Sequence, residues 1–293
     1  MIEAELLNYI IHILIIFFIF TFFSLSATIS IGLTGLFNLS FPGLALFSAY
    51  CSALLAIHGP LPFEICLFAS SVASAIIGYF LSAISNRFKG DYYALVTFGF
   101  NYVVLTVCLN WESLTNGALG ITNIPFESLL ISPMTPLKIL TVYGCLCIFS
   151  IWFSLKLKRS PLGRCLMAIR DDEVAMISIG RNVFLLKNLS AFVSGFFSGS
   201  VGALYAHYIS YIDPFSVGLH DLVFVLASVF LGGLGSLKGA VAGTFILTSI
   251  PELLRFLEIP PSVLGPLRQM IYAVILVIII WLKPKGIFGR VVV

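Results

Sequence analysis

At 293 residues, 59% of them hydrophobic and only 10% charged, with a mean hydropathy of +1.08, the chain carries more apolar surface than one soluble core can enclose. That excludes an ordinary soluble domain and points to a polytopic membrane protein. The formal net charge of +3 comes from basic residues in loops between apolar runs, where they act as orientation signals, so no nucleic-acid partner is implied.

A bilayer core about 30 Å thick takes roughly 20 apolar helical residues to cross, and that ruler gives about nine spans, within a range of eight to ten. They fall near 6–29, 42–57, 62–85, 91–111, 137–157, 188–210, 220–236, 238–254 and 266–283. The fold class is therefore all-α, a polytopic membrane helix bundle forming one transmembrane domain over residues 1–293. Glu3 and Glu5 precede the first apolar run and no basic stretch does, so that run is expected to be a retained anchor.

Two glycine-rich stretches interrupt the apolar pattern. The first, GLTGLFNLSFPGL from Gly32 to Leu44, holds Gly35, Asn38 and Ser40; the second, FLGGLGSLKGAVAG from Phe230 to Gly243, holds Gly232, Gly233 and Gly235. Broken helices of this kind mark a transporter's pathway, because irregular backbone at membrane depth is tolerated only where it packs on protein or lines a cavity. Glycines also let helices pack closely with no pathway involved. In the fourth span, Asp91 stands where it can cap the helix. Thr97 and Asn101, four apart and so on one face with Gly99 between them, form a polar stripe toward a neighbouring helix or a pore. Residues 112–136 carry no Lys or Arg and are rich in Gly, Asn and Pro, which reads as an outer loop.

The cytoplasmic segment is the interval 156–187, KLKRSPLGRCLMAIRDDEVAMISIGRNVFLLK, which concentrates seven of the sixteen Lys and Arg residues. Placing it inside also puts Arg87, Lys89, Lys238, Lys283, Lys285 and Arg290 inside, with Glu3, Glu5, Glu64, Glu112, Glu127, Asp213 and Glu258 opposite and only Arg255, Arg268 and Lys138 on the less favoured side; the topology is N-out, C-in. Pro161 starts a helix of about 18 residues that Gly180 and Asn182 stop. Leu162, Leu166, Ile169, Glu173 and Met176 draw one stripe along it, with Arg164 and Asp171 opposite. An acid in an apolar seam suits a helix that docks into a partner's groove and meets a counter-charge there.

Enzyme signatures are missing: GGLGSLKGA does not have P-loop spacing, and His12, His58, His207 and His220 are scattered singly, so neither catalytic residues nor metal or cofactor ligands are assigned. His207 reads as an amphipathic ring at the outer interface. The six cysteines fit neither a zinc site nor a disulfide framework.

The stretches GDYYALVTFGF (90–100), LTNGALGITNIP (114–125), GRCLMAIRDDEVA (163–175), GALYAHYISYIDP (202–214), VFLGGLGSLKGAVAGTFIL (229–247) and the tail LRQMIYAVILVIIIWLKPKGIFG occur in one order. Together they resemble the LivM-like permease subunits of ABC importers for branched-chain amino acids. The resemblance implies two related permeases paired in the cell's inner membrane, the second LivH-like or another copy of this chain. It also implies two ABC ATPase subunits docked beneath them and an external substrate-binding protein. The family's coupling helix maps onto Gly163, Arg164, Ala168, Ile169, Arg170, Asp171, Asp172 and Glu173. GLFNLSFPG at 35–43 departs toward the sister permease's pattern and lacks the expected glutamine. Urea or short-chain amide importers of the same family thus stay open as alternatives, and from another class an ion-coupled secondary transporter.

Overall fold

The computed structural model describes residues 2–88, 90–128, 135–255, 261–282 and 286–288. Lys89, Pro133, Glu258, Lys283, Lys285 and Arg290 lie outside the described residues. Twelve α-helices are present among them: α1 (Ile2–Ala27), α2 (Phe41–His58), α3 (Phe63–Ser85), α4 (Asp91–Asn110), α5 (Glu112–Thr115), α6 (Pro136–Arg159), α7 (Pro161–Asp171), α8 (Glu173–Ser178), α9 (Val183–Ile209), α10 (Leu219–Gly232), α11 (Leu237–Arg255) and α12 (Pro261–Leu282). Helix α1 runs on into a π-helical turn, Thr28–Leu33. Strands β1 (Ile121–Thr122) and β2 (Tyr211–Ile212) pair antiparallel, Ile121 opposite Ile212. This ladder ties the loop after α4 to the end of α9 and has no counterpart in the reading from sequence.

Six helical stretches among the described residues are long and apolar enough to cross a bilayer: Leu6–Leu33, Phe41–His58, Phe63–Ser85, Asp91–Asn110, Pro136–Arg159 and Val183–Ile209. Each coincides with an expected span. The seventh, Leu219–Gly232, is shorter. Its 14 residues reach about 21 Å at 1.5 Å per residue, less than the apolar thickness of a bilayer.

Helix α9 is the central post, packing against α1, α2 and α3. Its small residues allow this. A Cβ on Gly202 would lie 1.8 Å from the Ala45 carbonyl oxygen of α2, and one on Gly199 would lie 2.6 Å from Ser74 Cβ of α3. With little hydrophobic drive between helices in lipid, such close approach and interhelical hydrogen bonds hold the bundle. Ser26 donates to the Ser194 carbonyl at 2.7 Å, Ser71 and Ser200 share a bond at 3.0 Å, and Tyr143 donates to the Leu204 carbonyl at 2.7 Å. A further cluster, Ser24, Ser228 and Thr244, joins α1, α10 and α11.

Helix α4 begins differently from the expectation. Gly90 (φ +59°) is its N-cap and makes no side-chain bond; Asp91 is the first helical residue. Its carboxylate favours the helix through the dipole rather than by capping an amide.

Because the Gly202 site faces a backbone carbonyl, Gly202→Ala is expected to push α2 from α9 and destabilise the fold by about 1–3 kcal/mol or more. A fall in the thermal midpoint of the detergent-purified chain would register it; Gly99→Ala, where a Cβ meets open space, should leave the midpoint unchanged.

Candidate translocation path and coupling surface

Residues 35–40 have no helical ladder, and Pro42 brings no amide to the start of α2, so the exposed backbone groups need partners from side chains. The polar residues flagged in the sequence supply them. Leu39 N–H donates to Thr97 Oγ1 at 3.1 Å, and the Thr97 hydroxyl donates back to the Tyr93 carbonyl at 3.0 Å. Asn101 spans the break: its Nδ2 donates to the Leu39 carbonyl at 2.8 Å, and its Oδ1 accepts the Gly43 N–H at 2.7 Å. Asn101 thus caps α2 from a different helix, in place of Ser40, which makes no capping bond of its own. Asn38 Oδ1 accepts from the Ser40 amide at 3.0 Å and hydroxyl at 2.7 Å. Asn38, Ser40 and Thr97 are buried, while Asn101 is half-buried. The structure therefore gathers all four, with Gly99 left outside on a face where nothing approaches.

Asn101 also borders a cavity of about 330 Å³ between α2, α4 and the start of α10. Its other walls include Leu46, Phe98, Tyr102 and Leu222, with His220 at the rim. A larger groove, about 760 Å³, lies between α3 and α6 over α9 and is walled by Phe68, Phe149, Phe153 and Phe196. None of the expected path residues lines it.

The two glycine-rich stretches meet. A Cβ on Gly32 would lie 2.7 Å from Gly235 N. Gly235 itself sits at φ +79° and Gly35 at φ +71°, backbone that glycine adopts freely. Gly232 plays a separate part, in the close crossing of α10 and α11, where its Cβ would lie 2.1 Å from the Gly239 carbonyl carbon. Gly233 takes φ +99° in the turn between those helices.

The cytoplasmic segment forms two helices rather than the single one expected. Ser160 caps α7 by accepting the Gly163 N–H, with Pro161 in the first turn as anticipated. The chain then breaks at Asp172 (φ −155°, ψ 105°), whose carboxylate accepts the Ala175 N–H at 3.0 Å and starts α8. A short acidic side chain that bonds forward to the backbone competes with helix continuation. Likewise Asn182 does not end the segment but caps α9 through the Leu185 N–H.

The break reorients the stripe. Leu166, Ile169 and Met176 are buried; Ile169 and Met176 pack on Val183 within the chain itself. Glu173 is exposed and ion-paired with Lys187 at 2.7 Å, so its charge is met internally. What faces outward is apolar: Val174, Ile177 and Ile179 are 71%, 57% and 70% exposed. Arg164, Asp171 and Asp172 are exposed, Gly163 is buried and Ala168 half-buried. Gly163 is required for the tight joint, since a Cβ there would lie 2.2 Å from the Leu157 carbonyl oxygen. Arg170 is exposed too, but its Nη1 donates to the Gly32 carbonyl at 2.7 Å.

His207 is another correction. It is 1% exposed rather than interfacial, with Nε2 2.8 Å from Ser52 Oγ and Nδ1 2.9 Å from the Pro125 carbonyl. A carbonyl only accepts, so Nδ1 carries the proton and Nε2 accepts from Ser52. The ring fastens the outer loop to α2 and α9.

The fold is a helical bundle with six helices long and apolar enough to cross a membrane among the described residues, in which two glycine-rich breaks meet. The sequence profile of the family described as branched-chain amino acid transport system, permease component, matches residues 9–280, and the chain belongs to that family. It is 30% identical to the high-affinity branched-chain amino acid transport system permease protein LivM of Salmonella typhimurium over 92% of this chain and 67% of that protein. The LivM protein of Escherichia coli K12 matches over the same shares at the same identity. A probable branched-chain amino acid transport permease protein LivM of Methanocaldococcus jannaschii is 23% identical over 75% of this chain and 68% of that protein. No solved structure matches the chain.

Asn101→Leu keeps the branched shape but leaves the Gly43 amide and Leu39 carbonyl without their partner, at about 1–3 kcal/mol for each orphaned group. The expected result is a lowered thermal midpoint in detergent; a midpoint equal to the parent's would show that the clamp carries no stability.

Proposed function

We propose that this chain is the membrane-spanning permease subunit of an ABC importer, forming the path for branched-chain amino acids. It is not an enzyme: separate ABC ATPase subunits supply the energy, and an external binding protein delivers the ligand. In the cell's inner membrane it pairs with a second permease, LivH-like or another copy of itself. The observation that carries this reading is a polar helix break held by side chains of α4 and approached from one end by α7, in a member of the branched-chain permease family.

The path runs by Gly35, Asn38, Ser40, Thr97 and Asn101, with Gly99 on the outer face of the same helix and Gly232, Gly233 and Gly235 closing its inner end. Supporting this, the cavity beside Asn101 has mostly aliphatic and aromatic walls and a few polar groups, a composition suited to a small amino acid with an apolar side chain. The chain crosses the membrane about nine times, N-out and C-in. Lys158, Arg159, Arg164 and Arg170 crowd the end that the positive-inside rule assigns to the cytoplasm. The coupling surface spans residues 163–173, from Gly163 and Arg164 through Ala168, Ile169, Arg170, Asp171 and Asp172 to Glu173. It extends onto Val174 and Ile177, whose exposed side chains suit insertion into a groove of an ATPase.

Co-reconstituted with cognate ATPases, permease partner and binding protein, the chain is expected to support ATP-dependent leucine uptake into liposomes, and none without ATP. Urea uptake in place of leucine would reassign the substrate, and uptake driven by an ion gradient without ATP would overturn the ABC reading. Val174→Asp together with Ile177→Asp should reduce ATPase co-purification at least about tenfold, two buried apolar anchors each contributing about 1 kcal/mol or more. Glu173→Gln should leave co-purification near the parent's, because an exposed ion pair contributes only about 0.2–1 kcal/mol.

A further inference from the structure

Arg170, like Arg164 and Asp171 on the same helix, is exposed. Unlike them, its guanidinium bonds to backbone of the bundle. Nη1 donates to the Gly32 carbonyl, and the same nitrogen lies 3.0 Å from where a Cβ on Gly235 would stand. Its aliphatic stem covers Gly35, with Cγ 3.2 Å from that residue's would-be Cβ. One side chain thus touches both glycine-rich breaks where they meet. From the end of α6, Lys158 donates to the Gly235 carbonyl, so each break has one backbone oxygen held by a cation.

The chemistry of this contact is directional. Gly32 lies in the π turn that ends the first span, where carbonyl oxygens lack helical partners and the helix dipole is negative. A cation there is favourable, and a planar guanidinium can bond one oxygen while its stem lies flat on a glycine surface. Helix α7 has little freedom to move alone. Gly163 seats it against the last turn of α6, and Leu166 and Ile169 are buried beneath it. A displacement of α7 therefore carries the guanidinium with it.

We propose that Arg170 is a positioning residue that transmits movement of the coupling helix to the Gly32–Gly235 contact, setting whether the inner end of the path is closed. This rests on the reading of the chain as an ABC importer permease. It differs from a docking role, in which Arg170 would face the ATPase.

The test uses the complete transporter in liposomes and reads three quantities: ATPase co-purification, ATP hydrolysis, and leucine transported per ATP hydrolysed. Arg170→Ala is expected to assemble and hydrolyse ATP while transport per ATP falls at least about fivefold, the lower end of ordinary coupling between sites. Arg170→Lys should recover part of the loss, since an ammonium can reach the same carbonyl. Gly235→Ala perturbs the same contact without substituting any residue of the cytoplasmic helix, because a Cβ there would lie 2.9 Å from the Gly32 carbonyl oxygen and 3.0 Å from Arg170 Nη1; it should show the same uncoupling. Unchanged transport per ATP in either assembled variant would overturn the proposal. So would loss of ATPase co-purification in Arg170→Ala alone, which would make Arg170 a docking residue. Failure of the parent chain itself to co-purify with the ATPases is a different result and would overturn the proposed function.

Discussion

In a bilayer there is no water to satisfy a broken helix, and this constraint shapes the whole molecule. The chain departs from helix geometry between Gly35 and Ser40. Amides and carbonyls freed there need partners, and side chains from other elements supply several of them. Thr97 and Asn101 on α4 hold Leu39 and Gly43; Asn38 holds Ser40; Arg170 on α7 holds Gly32. Helix α4 lies against α2 for this purpose, although much of its remaining surface is apolar and exposed.

The small-residue face of α9 serves the same end by another route. Gly199 and Gly202 bring α2 and α3 close enough for serine hydroxyls to bond across, which fixes where the start of α2 stands relative to α4. The break is thereby fixed between α2, α4 and α9, while Arg170 of α7 bonds the turn that precedes it.

Much of this was legible in the chain. Apolar run length located six spans, because roughly 20 residues of helix are needed to cross lipid. The i, i+4 spacing of Thr97 and Asn101 placed both on one face, and the glycine runs marked both breaks. Other features rest on pairings that one-dimensional patterns do not carry. The seam through Leu166, Ile169 and Met176 reads as a docking face until Leu166 is found in the bundle core and Ile169 and Met176 packed on Val183. Glu173 reads as an unmatched acid until Lys187 is found beside it, fourteen residues on. Asp172 could end a helix or ride on one, and its bond to Ala175 decides between them. Arg170 was marked only through the family's coupling helix, and its bond to Gly32 had no signal, since nothing in local spacing distinguishes a cation aimed at a distant carbonyl from one in solvent. For His207, burial by the loop at Pro125 overrode the usual behaviour of an aromatic ring near a span end.

The claim that side chains replace the missing helical bonds can be measured directly by hydrogen exchange on the chain in lipid nanodiscs. The amides of Leu39, Ser40 and Gly43 lie outside a regular helical ladder, or at its unsatisfied start, and would exchange rapidly if water reached them. The account predicts protection comparable to amides inside α9, lost at Leu39 in Thr97→Val and at Gly43 in Asn101→Leu. Rapid exchange of these amides in the parent chain would contradict it.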